Sequence, residues 1–416
     1  MHTRPMAIFI SAMLVSTACS AAPQDNSTAQ PSAVPVVPRD SPDTGIVNKP
    51  ATAERANSTP VQPSFKVEKI GQFDAPFAIA FLPGGQLLVT EKGGALKLRG
   101  ADGAVATVSG VPAIAAGGQG GLLDVALSPD FGSSRRIYLT YSEPGTVGAG
   151  LALARGTLDV KQVQCVTAPC APVASLSDVS VIWRSGMNGP GGQYGANIAF
   201  APDNKSLFLA TGERQRFTPA QDPEQTLGKV LRLTLDGKAF PGNPMYKAGG
   251  VRAQTWSSGH RNPYGLAFAR DGRLWEVEMG PKGGDEVNLI EAGKNYGYPL
   301  VSNGDNYSGK AIPDHPSRPD LAAPKLWWNP AISPGGMMIY SGALFPAWRG
   351  SMLISALSGK GLIRVKLDGA NATAAEHFDL GARIRDVAQA PDGSVWLIED
   401  GTRGANGNLL RLSPAS

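Results

Sequence analysis

The stretch Leu266-Ala-Phe-Ala-Arg-Asp-Gly-Arg-Leu-Trp275 decides the fold, because variants of it recur along the chain. In each copy an apolar run leads into a turn of Pro, Asp or Gly, and a second apolar run follows at once. This is the pattern of two short antiparallel strands joined by a tight turn. The copies are 45 to 76 residues apart, with turns near positions 83, 129, 202, 270, 346 and 391, and the copy near 346 is degenerate.

Six copies of a hairpin-rich unit predict an all-β fold, a six-bladed β-propeller. One such sheet cannot bury both of its faces, but six sheets packed around an axis cover each other and protect their strand edges. No helical period persists beyond about ten residues, which argues against a mixed fold. A pair of β-sandwiches is the alternative, but it does not explain why the same strand–turn–strand sequence, called the repeated phrase below, recurs six times.

Length and composition limit the possible functions. The chain has 416 residues, of which 42% are hydrophobic, enough for the core of one large domain. Charged residues make up 17% and the formal net charge is +4, with no dense basic run. A charge this small and this scattered argues against a nucleic-acid partner.

The N-terminus has the pattern of an export signal. In residues 1–19, Arg4 precedes a short apolar stretch, and small residues lead to Cys19. This resembles the bacterial lipoprotein signal, in which the Cys is lipidated, although Ser16 stands where Leu or Val is usual. Simple cleavage a few residues later is the alternative. We therefore expect an exported protein, in the periplasm or anchored to the outer membrane through a lipid on Cys19.

The remaining domain boundaries follow from composition. Residues 20–64 are rich in Pro, Ala and Ser and predict a disordered linker, and residues 65–416 form the predicted propeller. Cys165 and Cys170 lie five positions apart, and an oxidising compartment would allow them to form a disulfide. Two free thiols are the alternative.

Three loops have the composition of ligand-binding segments. The loop Gly117-Gly-Gln-Gly-Gly121 lets the backbone approach a ligand closely, with Gln119 as its one polar side chain. The turn at Gly280-Pro281 offers backbone carbonyls to Ca²⁺, which takes oxygen ligands. The alternative is that Asp285 and Glu286 ligate the ion, or that they orient Arg261. Arg383 and Arg385 are two positions apart, so on a strand they share one face.

Arginine is the residue that suggests an anionic ligand. Two guanidinium groups on one face suit a polycarboxylate or a phosphate, and Arg261 is a third candidate for the same ligand. The neighbouring His260 is open to two interpretations. It is either a catalytic base or a residue that shapes the loop around Arg261.

The chain resembles the soluble pyrroloquinoline-quinone-dependent aldose sugar dehydrogenases, the glucose/sorbosone dehydrogenase family. The resemblance covers roughly residues 65 to 414 and depends on five motifs in the family's order. These are Gly118-Gln-Gly-Gly-Leu-Leu-Asp-Val-Ala-Leu-Ser-Pro-Asp-Phe131, Gly259-His-Arg-Asn-Pro-Tyr-Gly-Leu-Ala-Phe268, Gly280-Pro-Lys-Gly-Gly-Asp-Glu-Val-Asn-Leu289, Asn295-Tyr-Gly-Tyr-Pro299 and Arg383-Ile-Arg-Asp-Val387.

The resemblance implies a fold, an activity and a set of site residues. The family is a six-bladed propeller that oxidises the anomeric hydroxyl of aldoses to lactones by passing a hydride to the quinone. The carbonyls of Gly280 and Pro281 would ligate a Ca²⁺ ion that polarises the cofactor, and His260 would be structural. The implied contacts to pyrroloquinoline quinone are Gln119, Arg261, Asn262, Arg383 and Arg385.

The chain departs from the family pattern at the chemical centre. The family's general base is a His, but the corresponding position is Gln193, and an amide cannot accept a proton at neutral pH. Asn197 stands where the family has Arg. Glu213 takes the place of the Asp that orients the base, and is itself a candidate base. A cofactor-binding Lys is replaced by Ser358, and Lys360, two positions further on, is predicted to bind the cofactor in its place.

The sequence therefore predicts a sugar dehydrogenase whose catalytic base is Glu213 or a water molecule held by Gln193. It would use pyrroloquinoline quinone and Ca²⁺, a small-molecule sugar and an external electron acceptor. The main alternative is a propeller that has lost the chemistry and binds a carbohydrate or an envelope partner. A Ca²⁺-dependent lactone hydrolase is a third possibility.

Overall fold

The computed structural model describes residues 54–56, 59–161, 171–186, 189, 191–401 and 405–415. Within them almost all regular structure is β-strand, with a single four-residue α-helix at Phe131–Ser134 and four short 3₁₀ turns. The strands, in chain order, are β1 (Glu54–Arg55), β2 (Phe65–Asp74), β3 (Pro76–Phe81), β4 (Leu87–Glu91), β5 (Leu96–Arg99), β6 (Val105–Val108), β7 (Leu122–Leu127), β8 (Arg136–Gly145), β9 (Gly148–Lys161), β10 (Val173–Arg184), β11 (Gly195–Phe200), β12 (Ser206–Thr211), β13 (Lys229–Thr234), β14 (Thr255–Ser258), β15 (Pro263–Phe268), β16 (Leu274–Glu278), β17 (Asp285–Ile290), β18 (Leu326–Trp328), β19 (Pro334–Ile339), β20 (Met352–Ala356), β21 (Gly361–Asp368), β22 (Asn371–Asp379), β23 (Ile384–Gln389), β24 (Val395–Glu399) and β25 (Asn406–Pro414).

These strands form six sheets, each with four antiparallel strands, and β1 adds a parallel edge to the fourth. The predicted six-bladed β-propeller is therefore confirmed. Blades 1 to 5 are β3–β6, β7–β10, β11–β14, β15–β18 and β19–β22. Blade 6 combines β23, β24 and β25 with β2 from the start of the domain. The innermost strands β3, β7, β11, β15, β19 and β23 contact one another in a closed ring.

Each repeated sequence phrase forms the connection between the first and second strands of a blade. In blade 4, for example, the turn at Arg270-Asp-Gly272 separates β15 from β16. The middle strands are the most apolar, because both of their faces pack against other blades. In blade 1, Leu88 pairs with Ala80 on one side and Leu98 on the other, and its side chain is completely buried.

Buried polar side chains connect neighbouring blades. The side-chain oxygen Oδ2 of Asp386 in β23 accepts a hydrogen bond from the backbone nitrogen of Ile79 in β3, at 2.8 Å, and so joins the last blade to the first. Asp124 in β7 makes the equivalent bond to the nitrogen of Ile198 in β11, also at 2.8 Å. Asp124 and Asp386 occupy the same position of their repeats, so these bonds follow from the repetition of the sequence.

Several predictions fall wholly or mostly on residues outside the described ranges. These are the signal peptide, Cys19, most of the linker and the pair Cys165 and Cys170. The described part of the linker makes sheet contacts: Glu54–Arg55 runs parallel to β18, and Val61 bridges Phe378. Strand pairing is therefore present at described residues that precede the predicted boundary at residue 65. In the described part of the chain no helix combines the length and the apolar character needed to cross a membrane.

Candidate active site

The predicted site residues collect at one end of the blades because of the antiparallel topology. A loop that leads into the first strand of a blade and a loop that leaves the second strand lie at the same end of the sheet. Gln119 and Gln193 precede first strands, and Glu213 and Gly280 follow second strands. The turns of the repeated phrase lie at the opposite end.

Two sizeable cavities formed by the described residues lie at this end of the propeller. The larger has a volume of about 560 Å³, and its polar lining includes Gln119, Arg383, Arg385, Asp400 and Lys92. The smaller has a volume of about 290 Å³ and is lined by residues that include Gln193, Glu213, Arg261, Pro281 and Tyr307. Most of the predicted site residues therefore lie in one of two neighbouring spaces.

An arginine pair and one carboxylate dominate the charge of the larger cavity. Arg383 donates to Oδ2 of Asp400 at 2.9 and 3.1 Å, and Arg385 donates to Oδ1 of the same residue at 2.9 and 3.1 Å. Burial opposes ionisation of Asp400, but the two guanidinium groups outweigh it and hold its pKa below the usual value. The prediction that both arginines share one face agrees with these contacts.

Aromatic rings support Arg385 from behind. Its guanidinium lies 5.3 Å from the ring of Phe77 and 5.8 Å from the ring of Tyr264, and its side chain is 10% exposed. Arg383 is 41% exposed, so its position depends more strongly on Asp400. Of the two arginines that line the cavity, Arg385 is therefore nearly buried and Arg383 faces solvent.

Glu213 is the one acidic side chain among the described residues that line the smaller cavity. It is completely buried, and its Oε2 accepts hydrogen bonds from the backbone nitrogens of Arg216 and Phe217. Its Oε1 has no hydrogen-bond partner among the described residues. Burial raises the pKa of Glu213, although the charge of Arg261 acts in the opposite direction. A carboxylate held in this way can accept a proton at its free oxygen.

Backbone strain surrounds this carboxylate. Gln193, Arg214, Gln215 and Phe217 all have positive φ angles, between 54° and 63°. Residues other than glycine rarely adopt this conformation, and where they do, it often marks a functional site.

The guanidinium of Arg214 holds the two strained segments together. It lies 3.8 Å from the centre of the Tyr194 ring and is almost completely buried. It donates to the backbone carbonyls of Ala149, Gly189, Gly191 and Gly192.

Arg261 connects the smaller cavity to the predicted metal ligands. Its Nη1 donates to the carbonyls of Met279, at 3.0 Å, and Gly280, and its Nη2 lies 3.4 Å from the hydroxyl of Tyr307. The carbonyl oxygen of Gly280 therefore points towards a cation. Pro281 lines the smaller cavity directly.

Two predicted cofactor ligands do not line either cavity. Asn262 is buried, and its Oδ1 accepts a hydrogen bond from the backbone nitrogen of Gly195 at 3.3 Å. Lys360 is exposed in the turn between β20 and β21. Asn262 lies in one of the five motifs, whereas Lys360 lies two positions after the family's lysine position; both roles stay predictions.

His260 belongs to a buried polar cluster. Its Nε2 lies 2.8 Å from the hydroxyl of Ser257, its Nδ1 lies 3.4 Å from Glu278, and its ring stacks on Tyr296. His260, Glu276 and Glu278 offer ligand atoms within 4.8 Å of one another, but all three side chains are buried. This environment agrees with a structural role for His260.

Sequence reasoning missed three residues that the structure places at the site. Lys92 and Asp400 follow second strands and line the larger cavity, and Arg214 follows Glu213. All three lie at the same end of a blade as Gln119 or Glu213. The sequence signal that could have identified them is the position of their loops, which lie at the end of the blade opposite to the repeated phrase.

The fold and the site together define a class: a six-bladed propeller with a cationic cavity beside a buried carboxylate at one end. The family model described as Glucose / Sorbosone dehydrogenase matches residues 73–411. The chain belongs to this family, and the resemblance inferred from the five motifs is confirmed.

Individual relatives agree. The aldose sugar dehydrogenase YliI of Escherichia coli is 39% identical over 355 residues, which cover 82% of this chain and 91% of YliI. The apo-form of the soluble aldose sugar dehydrogenase from Escherichia coli has a TM-score of 0.74 at 37% identity, covering 84% of this chain and all of that structure. The PQQ-bound aldose sugar dehydrogenase of Streptomyces coelicolor has a TM-score of 0.66 at 28% identity, covering 85% and 99% of the two chains.

Proposed function

We propose that this protein oxidises an aldose at its anomeric carbon to the lactone, with pyrroloquinoline quinone and Ca²⁺ as cofactors and an external electron acceptor. The observation that carries the proposal is the pairing of two neighbouring cavities. One has a cationic wall formed by Arg383 and Arg385, and the other has a buried carboxylate, Glu213, with a free oxygen. Membership of the family and the quinone-bound relative support the same chemistry.

The larger cavity suits the quinone. Pyrroloquinoline quinone is a tricarboxylate, and paired guanidinium groups are the preferred partners of carboxylates in proteins. Arg383 and Arg385 present such a pair, and Gln119 offers an amide at the same cavity. Arg261 would contact the cofactor from the smaller cavity. Asn262, which is buried behind the residues that line the cavities, would contact it from that side.

The turn at Gly280 and Pro281 suits Ca²⁺. Ca²⁺ takes oxygen ligands, including backbone carbonyls. The carbonyl of Gly280 already faces the guanidinium of Arg261, so its lone pairs are directed at a positive charge. Gly280 and Pro281 would hold the ion, and Arg261 would then turn towards the cofactor.

When bound, the quinone and its Ca²⁺ supply the acceptor for the hydride that leaves the sugar C1. The protein must remove the proton of the C1 hydroxyl. We assign this step to Glu213, whose Oε1 is free to accept it while two backbone N–H groups hold Oε2. Gln193 would orient the hydroxyl, or hold a water molecule that relays the proton.

The alternative is a propeller that has kept the ligand-binding cavities and lost the catalytic activity, and one observation favours it. Gln193 stands where the family has a basic His, and its Oε1 accepts a hydrogen bond from the backbone of Gln215 at 3.3 Å. Such a protein would bind a carbohydrate or an envelope partner without oxidising it.

A cofactor titration separates these functions. The purified protein is titrated with Ca²⁺ and pyrroloquinoline quinone, and an aldose and an artificial electron acceptor are then added. We expect saturable quinone binding and bleaching of the quinone absorbance by sugar. Binding without bleaching supports the degenerate propeller, and no binding contradicts the cofactor assignment.

We also propose that the protein is exported and anchored by a lipid on Cys19, on the evidence of the N-terminal sequence. Cell fractionation with mass spectrometry of the N-terminal peptide tests this proposal. A diacylglyceryl group on Cys19 is the expected result, and loss of membrane association in Cys19→Ser is its check. An unmodified N-terminus a few residues later would contradict the lipid anchor.

A further inference from the structure

We propose that Lys92 is the third cation that the larger cavity offers to the tricarboxylate cofactor, beside Arg383 and Arg385 and in addition to Arg261 from the smaller cavity. It would take the place of the lysine that the family pattern leads us to expect near Ser358. This inference rests on the proposed function. It assigns a binding role to a residue that lies outside the five motifs.

The position of Lys92 is fixed by the fold. It directly follows β4, and its backbone nitrogen donates to the carbonyl of Ala75 at 3.0 Å. Its carbonyl packs against Gly121, where a Cβ atom would lie 2.4 Å from it. A side chain at position 92 is therefore held at the edge of the glycine-rich loop that carries Gln119.

The ammonium group of Lys92 lies at the larger cavity. Its Nζ donates to the carbonyl of Gly118 at 2.8 Å, and the residue lines the cavity together with Arg383, Arg385 and Asp400. One of its three protons is used by that carbonyl, so the others remain for a ligand.

Charge arithmetic in the cavity supports a third cation. Lys92, Arg383 and Arg385 carry three positive charges and Asp400 carries one negative charge, so two positive charges remain. With the arginine pair alone, only one would remain against three carboxylates. Burial and the charge of Arg385 lower the pKa of Lys92, while Asp400 raises it. An anionic ligand would relieve the repulsion between Lys92 and Arg385.

The two residues near the family's lysine position are poor substitutes for it. Ser358 is uncharged, and its hydroxyl donates to the carbonyl of Ala331 and lies 2.8 Å from the hydroxyl of Ser333. Lys360 is exposed and does not line the cavity. Lys92 reaches the same space from blade 1, so the cation is supplied by a different blade.

The test is the affinity for pyrroloquinoline quinone at fixed Ca²⁺, measured by isothermal titration calorimetry without sugar. Lys92→Gln keeps a hydrogen-bond donor for Gly118 but removes the charge. We expect its Kd to rise about tenfold, the size of one lost charge-assisted hydrogen bond. Lys92→Arg should stay within about threefold of the wild type, because the charge is kept. Lys366→Gln, at an exposed position of β21 that lines neither cavity, is the matched control and should stay within about twofold, as is usual for an exposed charge. Lys360→Gln tests the family register instead, and we expect it to bind like the wild type.

The outcomes separate this inference from the proposed function. If the wild type binds the quinone and Lys92→Gln binds it equally well, the assignment of Lys92 is wrong and the function stands. A Kd that rises in Lys360→Gln and not in Lys92→Gln also contradicts the assignment and supports the family register. If the wild type does not bind the quinone, the proposed function is wrong, and this inference fails with it. Circular dichroism of each variant establishes that the fold is retained.

Discussion

The side-chain oxygen Oε1 of Gln119 lies 2.6 Å from the backbone nitrogen of Gln193 and accepts its hydrogen bond. This contact joins the glycine-rich loop before blade 2 to the loop before blade 3. It also places a residue of the larger cavity against a residue of the smaller one. The cavity proposed for the cofactor and the cavity that contains the proposed proton acceptor are therefore linked by a direct hydrogen bond.

The position of Gln193 offers a gain-of-function prediction. Gln193→His places an imidazole, which is basic near neutral pH, in the cavity that contains Glu213. We expect aldose turnover to rise by about tenfold, less than the roughly 10²–10⁴-fold that is typical of a positioned base, because Glu213 already accepts the proton in the proposed mechanism. Steady-state kinetics with an artificial electron acceptor measure the change.

Gln193→Asn is the control for this variant, because it keeps an amide and tolerates the positive φ of this position. It should not exceed the wild type. Unchanged turnover in Gln193→His, with quinone binding intact, would show that the position no longer lies at the reacting hydroxyl.

Removal of the proposed base should abolish most of the activity. Glu213→Gln keeps the shape and the hydrogen bonds to the backbone nitrogens of Arg216 and Phe217, but it cannot take a proton. We expect turnover to fall by about 10²–10⁴-fold. Calorimetry should show a nearly unchanged affinity for the quinone.

The pH dependence of turnover provides a second test of Glu213. A base acts in its ionised form, and burial raises the pKa of this carboxyl. The rate should therefore increase with pH through a range above that of an ordinary glutamate. Full activity in Glu213→Gln would favour a water molecule held by Gln193 as the proton acceptor.

The sequence predicted the blades well because each repeated phrase forms the connection between the first two strands of a blade. It also identified Gln119, Arg383 and Arg385, which lie in motifs and line the larger cavity. The contribution of Glu54–Arg55 to blade 4 could not be predicted. A segment rich in Pro, Ala and Ser has no strand period, and its pairing with β18 depends on the finished sheet.

Lys92 and Asp400 show a different limit of sequence reasoning. Each directly follows a second strand, at Glu91 and Glu399, where many surface loops also carry charge. Only the closed ring of blades brings them together in one cavity, from blades 1 and 6. Lys360 is the reverse case. Its position in the sequence predicted a place in the site, but the fold leaves its side chain outside the cavity.

The shared carboxylate of the arginine pair should affect stability and ligand binding in opposite directions. Asp400→Asn leaves Arg383 and Arg385 without a common negative charge, so the unliganded protein should have a lower Tm. An anionic ligand would then supply the missing charge. The rise in Tm on addition of the quinone and Ca²⁺ should therefore be larger in the variant than in the wild type.

Differential scanning calorimetry with and without the cofactors measures both changes. Asp392→Asn is the matched control, because Asp392 also forms an ion pair with an arginine, Arg411, but is 53% exposed. Its two Tm values should follow those of the wild type. A smaller cofactor effect in Asp400→Asn would show that the carboxylate acts mainly by positioning the guanidinium groups.

The bond that joins blade 6 to blade 1 should make stability depend on pH. Burial raises the pKa of Asp386 to about 8, and the charge of Asp124 acts in the same direction, against the pull of Arg385. A carboxyl whose pKa is raised in the folded state stabilises the fold fully below its unfolded pKa, and this contribution is lost as pH rises through about 8. Asp386→Asn cannot ionise, and its side-chain oxygen can still accept the hydrogen bond from Ile79. The Tm of the wild type should thus fall more steeply between mildly acidic and mildly alkaline pH than that of the variant, with Asp271→Asn as a surface control. Equal slopes for Asp386→Asn and the wild type would mean that Asp386 does not titrate in this range.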